Sequence, residues 1–347
     1  MATVTLKPSG QQFQVEDGET VLAAALRQGL VLPYGCKNGA CGSCKGRILE
    51  GGVDYGVYQK RILSDEEKAQ GKALFCQAKP LGDLVVEARA VGAAKGIQVK
   101  TLPCRVQVME RAADDVIVLR VKLPANEKLK FLAGQFIEFL LKDGTRRSFS
   151  MANPPHEADL IELHVRRVAG GKFTEHVFDK MKERDILRFE GPLGVFFLRE
   201  ESPKPIVLVA SGTGFAPIKS LVEDALQRGI ARPMTLYWGG RRPKDLYMNA
   251  LAEKWAGEHA SFKYVPVISD ALAEDAWQGR SGLVHRAVMQ DFPDLSGHQV
   301  YACGVPIMVD SARHDFTTVC RLPEDEFYAD SFTTQADLAQ PAAVSPK

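Results

Sequence analysis

Residues 33–44 read PYGCKNGACGSC, and this stretch carries the most specific pattern in the chain. Its three cysteines are spaced C-x4-C-x2-C, and a fourth cysteine follows far downstream. This spacing is typical of plant-type [2Fe–2S] centres, in which two irons share four thiolates. Glycines between the cysteines let backbone N–H groups turn towards the sulfurs. We therefore predict a [2Fe–2S] cluster with four ligands, which are Cys36, Cys41, Cys44 and Cys76.

Two other readings of these cysteines are open but less favoured. Cys41 and Cys44 alone have the spacing of a zinc knuckle or a redox-active pair. Zinc sites usually combine two such close pairs, and the sequence contains no second one. Buried structural cysteines would leave the glycine-rich loop unexplained.

The residues on either side of the cysteine loop predict a small compact domain over residues 1–92. Residues 4–6 and 12–15 alternate like paired strands around a Pro-Ser-Gly turn, and residues 84–87 are typical of a closing strand. Residues 90–100 are short of large apolar groups and contain two glycines and three alanines, which predicts a linker, placed at residues 93–101.

Residues 102–200 are rich in short strand-like segments, which predict an antiparallel β-barrel. These segments are 104–110, 116–123, 135–141, 147–151 and 161–168. A single helical pattern, over residues 173–181, interrupts them.

The barrel segment contains a candidate flavin site. A cluster that carries one electron cannot accept a hydride, and flavin is the cofactor that converts between the two. In the run Arg147-Ser148-Phe149-Ser150, the arginine suits a phosphate, the phenyl ring offers a flat face to the isoalloxazine, and Ser150 suits its N5 region. An arginine at a strand end is, taken alone, more often simply solvated.

A second anion site is predicted at Gly170-Gly171-Lys172-Phe173-Thr174, before the predicted helix. Backbone N–H groups at a helix start, with the Thr174 hydroxyl, suit a pyrophosphate and therefore indicate FAD rather than FMN. A Gly-Gly pair in front of a helix is, by itself, usually only a turn.

Residues 201–335 alternate between apolar strands and helices, which predicts an α/β domain with a parallel sheet that binds NAD(P)H. The predicted strands are 205–210, 234–238, 262–268 and 299–303, and the predicted helices are 217–228, 245–256, 284–291 and 306–319. Residues 336–347 are predicted to be a flexible tail.

The first strand of this domain runs into Ser211-Gly212-Thr213-Gly214, and Pro217 follows at a predicted helix start. A strand, a glycine turn and a helix in this order bind dinucleotides at the carboxyl edge of parallel sheets. The full G-x-G-x-x-G pattern is absent because Pro217 occupies the third glycine position.

Two further groups are candidates for nucleotide contacts. Cys303 and Gly304 end a strand that should share the same edge of the sheet, where the cysteine contacts the nicotinamide or is simply a small buried residue. Arg241 and Arg242 contact the adenosine ribose or its 2′-phosphate, or are solvated.

Three motifs, the cysteine loop, Arg-Ser-Phe-Ser and Ser-Gly-Thr-Gly-Phe-Ala-Pro, occur in this order along the chain. Together they resemble the ferredoxin–NADP reductase superfamily, in the branch with an N-terminal ferredoxin domain. The resemblance implies that residues 1–92 form a β-grasp-like [2Fe–2S] ferredoxin domain. Within that branch, the chain is most similar to the CDP-6-deoxy-Δ3,4-glucoseen reductases. The similarity lies in the stretches PYGCKNGACGSCKG, RSFSMAN, EGPLGVFFLR and FYADSFT. The resemblance implies an NADH-dependent electron donor to a pyridoxamine-phosphate dehydratase. Aromatic oxygenase reductases share the architecture and imply an oxygenase component as the alternative partner.

The resemblance also implies roles for individual residues. The flavin motif Arg-x-Tyr-Ser falls on Arg147, Phe149 and Ser150, and the phenylalanine lacks the usual hydroxyl but keeps a stacking face. The motif Gly-x-x-Ser/Thr falls on Gly171 and Thr174, and Cys-Gly falls on Cys303 and Gly304. Ser150 and Cys303 are thereby the predicted catalytic positions. An aromatic residue near the C-terminus covers the flavin in this superfamily, and Phe332 is our candidate, with Phe327 and Tyr328 as alternatives.

Composition limits the remaining classes. The 347 residues carry a formal net charge of +1, so nothing indicates nucleic-acid binding. No apolar run reaches the length of a membrane helix, and the N-terminus lacks a secretory signal pattern, so we expect a cytoplasmic protein. A redox sensor without turnover is the rival function, but a sensor needs no dinucleotide turn. We expect NADH to be preferred, with NADPH as the alternative.

Overall fold

The computed structural model describes residues 1–88 and 97–333. Contacts within the chain divide it into two compact units, one formed by Met1–Gly96 with Ala329–Lys347 and the other by Ile97–Tyr328. Residues 93–96 of the predicted linker and the whole predicted tail, 336–347, lie outside the described residues.

The first unit is built on a five-stranded mixed sheet with the strand order β2-β1-β7-β3-β5. Its elements are β1 (Ala2–Lys7), β2 (Gln12–Val15), α1 (Val21–Arg27), β3 (Lys45–Glu50), β4 (Val53–Asp54), α2 (Asp65–Ala69), β5 (Lys72–Leu74), β6 (Lys79–Pro80) and β7 (Leu84–Glu87). Strand β1 pairs antiparallel with β2 and parallel with β7, which confirms the predicted pairing and the predicted closing strand. Helix α1 begins after Thr20, whose hydroxyl accepts a hydrogen bond from the Ala23 N–H at 3.2 Å.

The second unit begins with a six-stranded antiparallel sheet of order β11-β10-β13-β8-β9-β12. Its elements are β8 (Lys100–Ala113), β9 (Val116–Lys122), β10 (Phe136–Leu140), β11 (Arg146–Ser150), β12 (Leu160–Arg166), α3 (Lys172–Asp179) and β13 (Ile186–Leu193). A bridge between Met151 and Leu163 joins the two outer strands, so the sheet closes into the predicted barrel. Its interior is filled by alternating apolar side chains such as Leu119, Ile137 and Phe189.

The second unit continues with a six-stranded sheet of order β17-β16-β15-β14-β18-β19. Its elements are β14 (Ile206–Ser211), α4 (Phe215–Gln227), β15 (Met234–Gly240), α5 (Asn249–Glu258), β16 (Phe262–Ile268), β17 (Arg280–Ser281), α6 (Val284–Asp291), β18 (Gln299–Gly304), α7 (Pro306–Thr318) and β19 (Phe327–Ser331), whose residues from Ala329 onwards belong to the first unit. We call the part from β14 to Tyr328 the nucleotide lobe.

The order of strands in the nucleotide lobe decides where a ligand binds. Strand β14 lies between β15 and β18 and pairs parallel with both. The chain therefore moves to one side of β14 first and returns to its other side later, which makes the carboxyl end of β14 a topological switch point. Among the described helices, none has the length and apolar character needed to cross a lipid bilayer.

Candidate functional site

The four predicted cluster ligands approach one another as two pairs. The side chains of Cys36 and Cys41 are hydrogen-bonded, and so are those of Cys44 and Cys76. The bond from Cys36 lowers the pKa of the buried Cys41 thiol to about 5. The charge of Cys41 also raises the pKa of Cys44 and opposes the lowering of the Cys76 pKa, so the two thiol pairs lie near each other. Two neighbouring thiol pairs fit a two-iron cluster, with one pair for each iron.

Backbone N–H groups point at the sulfurs, as the glycine-rich loop predicts. The N–H of Cys36 donates to the sulfur of Cys41, and the N–H of Ala40 donates to the sulfur of Cys36, both at 3.4 Å. Gly39 is left-handed, with φ of 75°, and a Cβ there would lie 2.8 Å from the Val57 carbonyl oxygen. Only glycine meets both conditions without strain.

Residues distant in sequence hold this loop within the first unit. The Gln77 amide, next to Cys76, donates to the Lys37 carbonyl at 3.0 Å. Ser43 donates to the Ala329 carbonyl at 2.9 Å, and Asn38 donates to the Thr333 hydroxyl at 3.2 Å. These last two contacts could not be predicted from the sequence, because the bonded residues lie at opposite ends of the chain.

Strand β11 carries the predicted flavin motif. Phe149 packs its ring against Phe139 and Phe173, at centroid distances of 5.9 and 5.3 Å. Because Phe173 lies in α3, this contact brings the two predicted flavin motifs together. Ser150, at the end of the strand, is buried, whereas Arg147 is partly exposed. Ser148 lies on the face of the strand opposite to Phe149, and its hydroxyl donates a hydrogen bond to Glu138 at 3.1 Å.

The second flavin motif forms the turn in front of α3. Gly171 occupies the N-cap position, and a Cβ there would lie 2.6 Å from the Thr174 hydroxyl oxygen. That hydroxyl accepts a hydrogen bond from the Val168 N–H at 3.1 Å, which orders the turn. The Lys172 ammonium lies 3.1 Å from an Asp143 carboxylate oxygen and is largely exposed. The N-terminus of α3 and the Lys172 ammonium together give this turn the positive charge that attracts a phosphate group.

The nucleotide turn, Gly212–Gly214, follows β14 at the switch point. Ala210 is the register partner of Cys303 on β18. A Cβ on Gly214 would lie 2.1 Å from the Cys303 carbonyl oxygen, and one on Gly304 would lie 2.1 Å from the Ser211 hydroxyl. The structure thus brings the two predicted nucleotide motifs into direct contact. The Cys303 side chain is fully buried.

The two candidate arginines after β15 differ in their surroundings. Arg241 is exposed. The guanidinium of Arg242 donates to Asp275 at 2.7 Å and to Glu274 at 2.8 Å. This pairing lowers the pKa of Asp275, with the hydrogen bond from Arg242 as the largest cause. The charge of Arg242 is therefore largely balanced within the protein.

Arg166, at the end of β12, is a candidate that the sequence analysis missed. Its Nη1 atom would lie 2.6 Å from a Cβ added to Gly212, so the guanidinium rests against the nucleotide turn. Its Nε lies 3.1 Å from an Asp115 carboxylate oxygen. Its Nη2 is buried and has no hydrogen-bond partner among the described residues. A buried N–H without a partner beside a nucleotide turn is a candidate anion donor.

A buried network of charged side chains connects the barrel to the nucleotide lobe. Glu162 lies 2.7 Å from Arg120, 3.1 Å from His164 and 3.2 Å from Lys219. Although burial opposes ionisation, the bond from His164 and the charge of Lys219 hold the pKa of Glu162 far below its usual value. The other ring nitrogen of His164 lies 2.8 Å from the Tyr247 hydroxyl, and burial lowers the pKa of this histidine.

Comparison with known proteins identifies the family. Three family models match in succession, described as a 2Fe-2S iron-sulfur cluster binding domain over residues 4–81, an oxidoreductase FAD-binding domain over 103–198 and an oxidoreductase NAD-binding domain over 208–314. Over 329 residues the chain is 40% identical to the CDP-6-deoxy-L-threo-D-glycero-4-hexulose-3-dehydrase reductase of Yersinia pseudotuberculosis serotype I (strain IP32953), with 95% of this chain and 98% of the relative covered. The chain belongs to the ferredoxin–NADP reductase superfamily.

Other members of the superfamily are similar over the same length. The reductase component of phenol 2-monooxygenase from Pseudomonas sp. (strain CF600) is 38% identical, over 97% of this chain and 96% of its own. A crystal structure of an Amycolatopsis cytochrome P450 reductase has a TM-score of 0.76 and 35% identity, and covers 96% of this chain and 99% of that one.

These findings confirm the predicted fold class, cofactors and enzyme class. The protein is an NAD(P)H-dependent iron–sulfur flavoprotein oxidoreductase with a [2Fe–2S] cluster, FAD and a nicotinamide nucleotide. It is an electron-transfer reductase, of the kind that passes electrons from NAD(P)H through FAD and the cluster to a partner enzyme.

Proposed function

We propose that the partner enzyme is a sugar dehydrase that acts on a CDP-linked 6-deoxyhexulose, as in the name of the Yersinia relative. The observation that carries this proposal is the 40% identity over 95% of the chain, with 98% of that relative covered. A relative from Salmonella typhimurium and a second Yersinia reductase are 38% and 40% identical.

We assign the cofactors to residues as follows. The cluster is held by Cys36, Cys41, Cys44 and Cys76. FAD is held by Arg147, Ser148, Phe149, Ser150, Gly171, Lys172 and Thr174, and its ring is covered by Phe332. The nucleotide is held by Gly212, Thr213, Gly214, Arg241, Arg242, Cys303 and Gly304, with Arg166 as an addition. The partial positive charge of the α3 N-terminus supports the phosphate part of this assignment.

The protein's own residues bind and orient the cofactors rather than transfer protons. Bound FAD would supply the conversion of a hydride into single electrons, which is chemistry that the protein's side chains cannot supply. Gly212–Gly214 lets the dinucleotide backbone approach the edge of the sheet. Ser150 ends β11 and Cys303 lies next to the last residue of β18, and we assign them to the flavin N5 and nicotinamide C4 regions. The N–H groups of Cys36 and Ala40 stabilise thiolate charge at the cluster.

A preference for NADH is supported by the state of Arg242. Its guanidinium is already paired with two carboxylates, Asp275 and Glu274, which also repel a 2′-phosphate. Of these two arginines, Arg241 is then the one that could favour NADPH. We expect a higher specificity constant, kcat/KM, with NADH than with NADPH, and the reverse order would assign a phosphate-binding role to Arg241.

We also propose boundaries between the domains and a location in the cell. The proposed segments are 1–92, 93–101, 102–200, 201–335 and 336–347. A cytoplasmic location is supported by the need for reduced thiols at the cluster, because reducing compartments keep cysteines unpaired. Limited proteolysis of the holoenzyme tests the boundaries, and cell fractionation tests the location.

A second candidate function is the reductase component of an aromatic oxygenase. It is favoured by the phenol 2-monooxygenase component, at 38% identity over 97% of the chain, and by terephthalate 1,2-dioxygenase components from Comamonas sp. at 37% and 36%. The Amycolatopsis relative of known structure is likewise named as the reductase of an oxidative enzyme, a cytochrome P450.

The experiment that separates the two functions is reconstitution with each class of partner. The purified holoenzyme and NADH are combined with a hexulose-3-dehydrase and its CDP-sugar, and in parallel with a phenol hydroxylase oxygenase component and phenol. We expect deoxygenated sugar product in the first mixture and no hydroxylated phenol in the second. Turnover only in the second mixture would replace our proposal with the oxygenase function.

A further inference from the structure

Helix α4, which begins directly after the nucleotide turn, is hydrogen-bonded to the barrel. The Lys219 ammonium donates to the Ala152 carbonyl at 3.3 Å, and the Ser220 hydroxyl donates to the Asn153 carbonyl at 2.8 Å. Ala152 and Asn153 follow β11 within three residues of Ser150. Two bonds therefore connect the helix of the nucleotide turn to the strand end of the flavin motif.

These bonds are buried and have little freedom to rearrange. Lys219 is 7% exposed, Asn153 is 4% exposed and Ser220 is fully buried. The ammonium is neutralised by Glu162 at 3.2 Å on the barrel and by Glu223 at 2.8 Å on its own helix. A shift of α4 away from the barrel would leave charges buried without their partners, which is costly. This network of buried charges thus favours a single distance between the barrel and the nucleotide lobe.

The barrel side of the contact is fixed by a second set of bonds. The backbone N–H of Glu162 donates to the Asn153 side-chain oxygen at 2.9 Å, and the Ala152 N–H donates to the Glu162 carbonyl at 2.8 Å. The carboxylate of Glu162 is also held by Arg120 at 2.7 Å. The segment after Ser150 is therefore bonded to β12 as well as to α4, and the position of Ser150 depends on both.

We propose that Lys219 and Ser220 are positioning residues for hydride transfer, which fix the distance between the flavin-motif strand end at Ser150 and the nucleotide turn Gly212–Gly214. The inference rests on the cofactor assignments made under the proposed function. Hydride transfer requires the reacting atoms to approach to about 3–3.5 Å, and small misplacements are expensive in rate. Neither side chain needs to touch a cofactor to act in this way, because each acts through the backbone of residues 152–153.

The test uses the holoenzyme with four substitutions. Lys219→Met keeps the length of the side chain but removes its charge and hydrogen bond, and Ser220→Ala removes only a hydroxyl. Lys219→Arg is the conservative variant. Glu223→Gln is the matched control, because it alters the partner of Lys219 on its own helix and leaves both bonds to the barrel in place.

Three measurements distinguish positioning from a general loss of structure. Rapid mixing gives the limiting rate of flavin reduction at saturating NADH and its primary deuterium isotope effect. Titration gives the Kd for NAD⁺ and the intensity of the long-wavelength nicotinamide–flavin charge-transfer band. Hydrogen–deuterium exchange of the protein without cofactors reports whether backbone amides around residues 151–153 become more labile.

We expect Lys219→Met to lower the limiting rate of flavin reduction about tenfold, with the Kd for NAD⁺ changed by less than about twofold. The isotope effect should rise, the charge-transfer band should weaken, and exchange at 151–153 should increase. Ser220→Ala should show the same pattern to a smaller extent. Lys219→Arg should recover most of the rate, and Glu223→Gln should retain that of the wild type.

An unchanged limiting rate in both Lys219→Met and Ser220→Ala would overturn the inference. The inference would also be overturned if Glu223→Gln lost the limiting rate to the same extent. It would likewise be overturned if the loss of rate were explained entirely by loss of bound FAD. If Lys219→Met does not fold, Ser220→Ala alone decides, because it deletes a single buried oxygen. Failure of the wild type to reduce its flavin with NADH would instead reject the proposed cofactor sites, so the two failures are distinguishable.

Discussion

The guanidinium of Arg166 brings a positive charge to the nucleotide turn from the barrel side. It lies against Gly212, and its Nη2 is buried without a hydrogen-bond partner among the described residues. The neighbouring Arg167 makes an exposed ion pair with Asp179 at 2.8 Å. Arg166 ends β12 and Arg167 follows it directly. The two arginines have different environments because successive side chains of an extended chain point in opposite directions.

We predict that Arg166→Gln raises the KM for NADH at least about tenfold, because a hydrogen bond to a charged group contributes about 1.5–3 kcal/mol. The kcat should change by less than about twofold, since the lost contact is made before and during hydride transfer alike. Steady-state kinetics with ferricyanide as acceptor measure both constants. Arg167→Gln is the matched control and should leave KM unchanged. An unaltered KM in Arg166→Gln would remove this residue from the nucleotide site.

Single residues differ in how readily the sequence reveals them. The grouping of the four cysteines was predictable because cluster ligation demands a fixed residue type at a fixed spacing. Gly214 and Gly304 were predictable as turn glycines, but the contact between two strand ends that excludes a side chain at both positions is visible only in the structure. The contact between Arg166 and Gly212 was not predictable, because the two residues are distant in sequence.

At the scale of elements, β12 and α4 together bury a charged network inside the second unit. His164 on β12 is completely enclosed, and burial lowers its pKa below the usual value of 6.5. Glu162 on the same strand is ionised, because its pKa is also lowered, against the effect of burial, by His164 and Lys219. Both shifts favour the less protonated form in the folded state.

Acidification should therefore destabilise the second unit. The unfolded chain protonates its histidine near pH 6.5, above the pH at which the folded chain does so. Folding stability that depends on neutral His164 is thus present above that pH and is lost as the pH falls below it. Glu162 adds a further loss at lower pH, as the solution passes below the carboxylate pKa of the unfolded chain.

Tryptophan fluorescence measures this effect, because all 3 tryptophans lie in the second unit, at positions 238, 255 and 277. We expect the urea midpoint to fall steadily from about pH 8 to about pH 5. His164→Gln should be less stable at the upper pH, with a flatter dependence between pH 7 and pH 6. A slope identical to that of the wild type in His164→Gln would show that other groups control the acid sensitivity.

Elements differed in how well sequence patterns located them. Strand β16 and helix α6 fall on their predicted bounds, because apolar periodicity dominates both. Strand β13 was missed, since its Gly-Pro ending is typical of a turn. Helix α5 begins at Asn249 rather than at 245, because Pro243–Asp245 forms a separate short 3-10 turn whose carboxylate accepts two backbone N–H bonds. Strand β19 had too little sequence pattern to be predicted.

At the scale of the whole molecule, the function depends on separate units that carry different redox groups. The predicted cluster ligands lie in the first unit, and the predicted flavin and nucleotide motifs, apart from Phe332, lie in the second. A change confined to the cluster loop should therefore leave hydride acceptance intact. The order of motifs along the chain predicted this division, whereas the return of residues 329–333 to the first unit was not predictable.

We predict that Cys41→Ser abolishes cytochrome c reduction but retains most ferricyanide reduction. The substitution removes one of the paired thiols in a buried loop, so the first unit should lose its cluster. Ferricyanide is small and accepts electrons at the level of the flavin, whereas cytochrome c depends on the one-electron cluster. Iron and acid-labile sulfide analysis should show loss of the cluster, while FAD content stays near that of the wild type.

Cys320→Ala provides the control for this division, because Cys320 is an equally buried thiol in the nucleotide lobe, outside the predicted sites. It should retain both activities. Equal loss of both activities in Cys41→Ser, with normal FAD content, would mean that the two units do not act in series as proposed. Loss of FAD together with both activities would instead show that the cluster loop is required for the fold of the second unit. Retained cytochrome c reduction without iron would show that electrons leave the protein directly from the flavin.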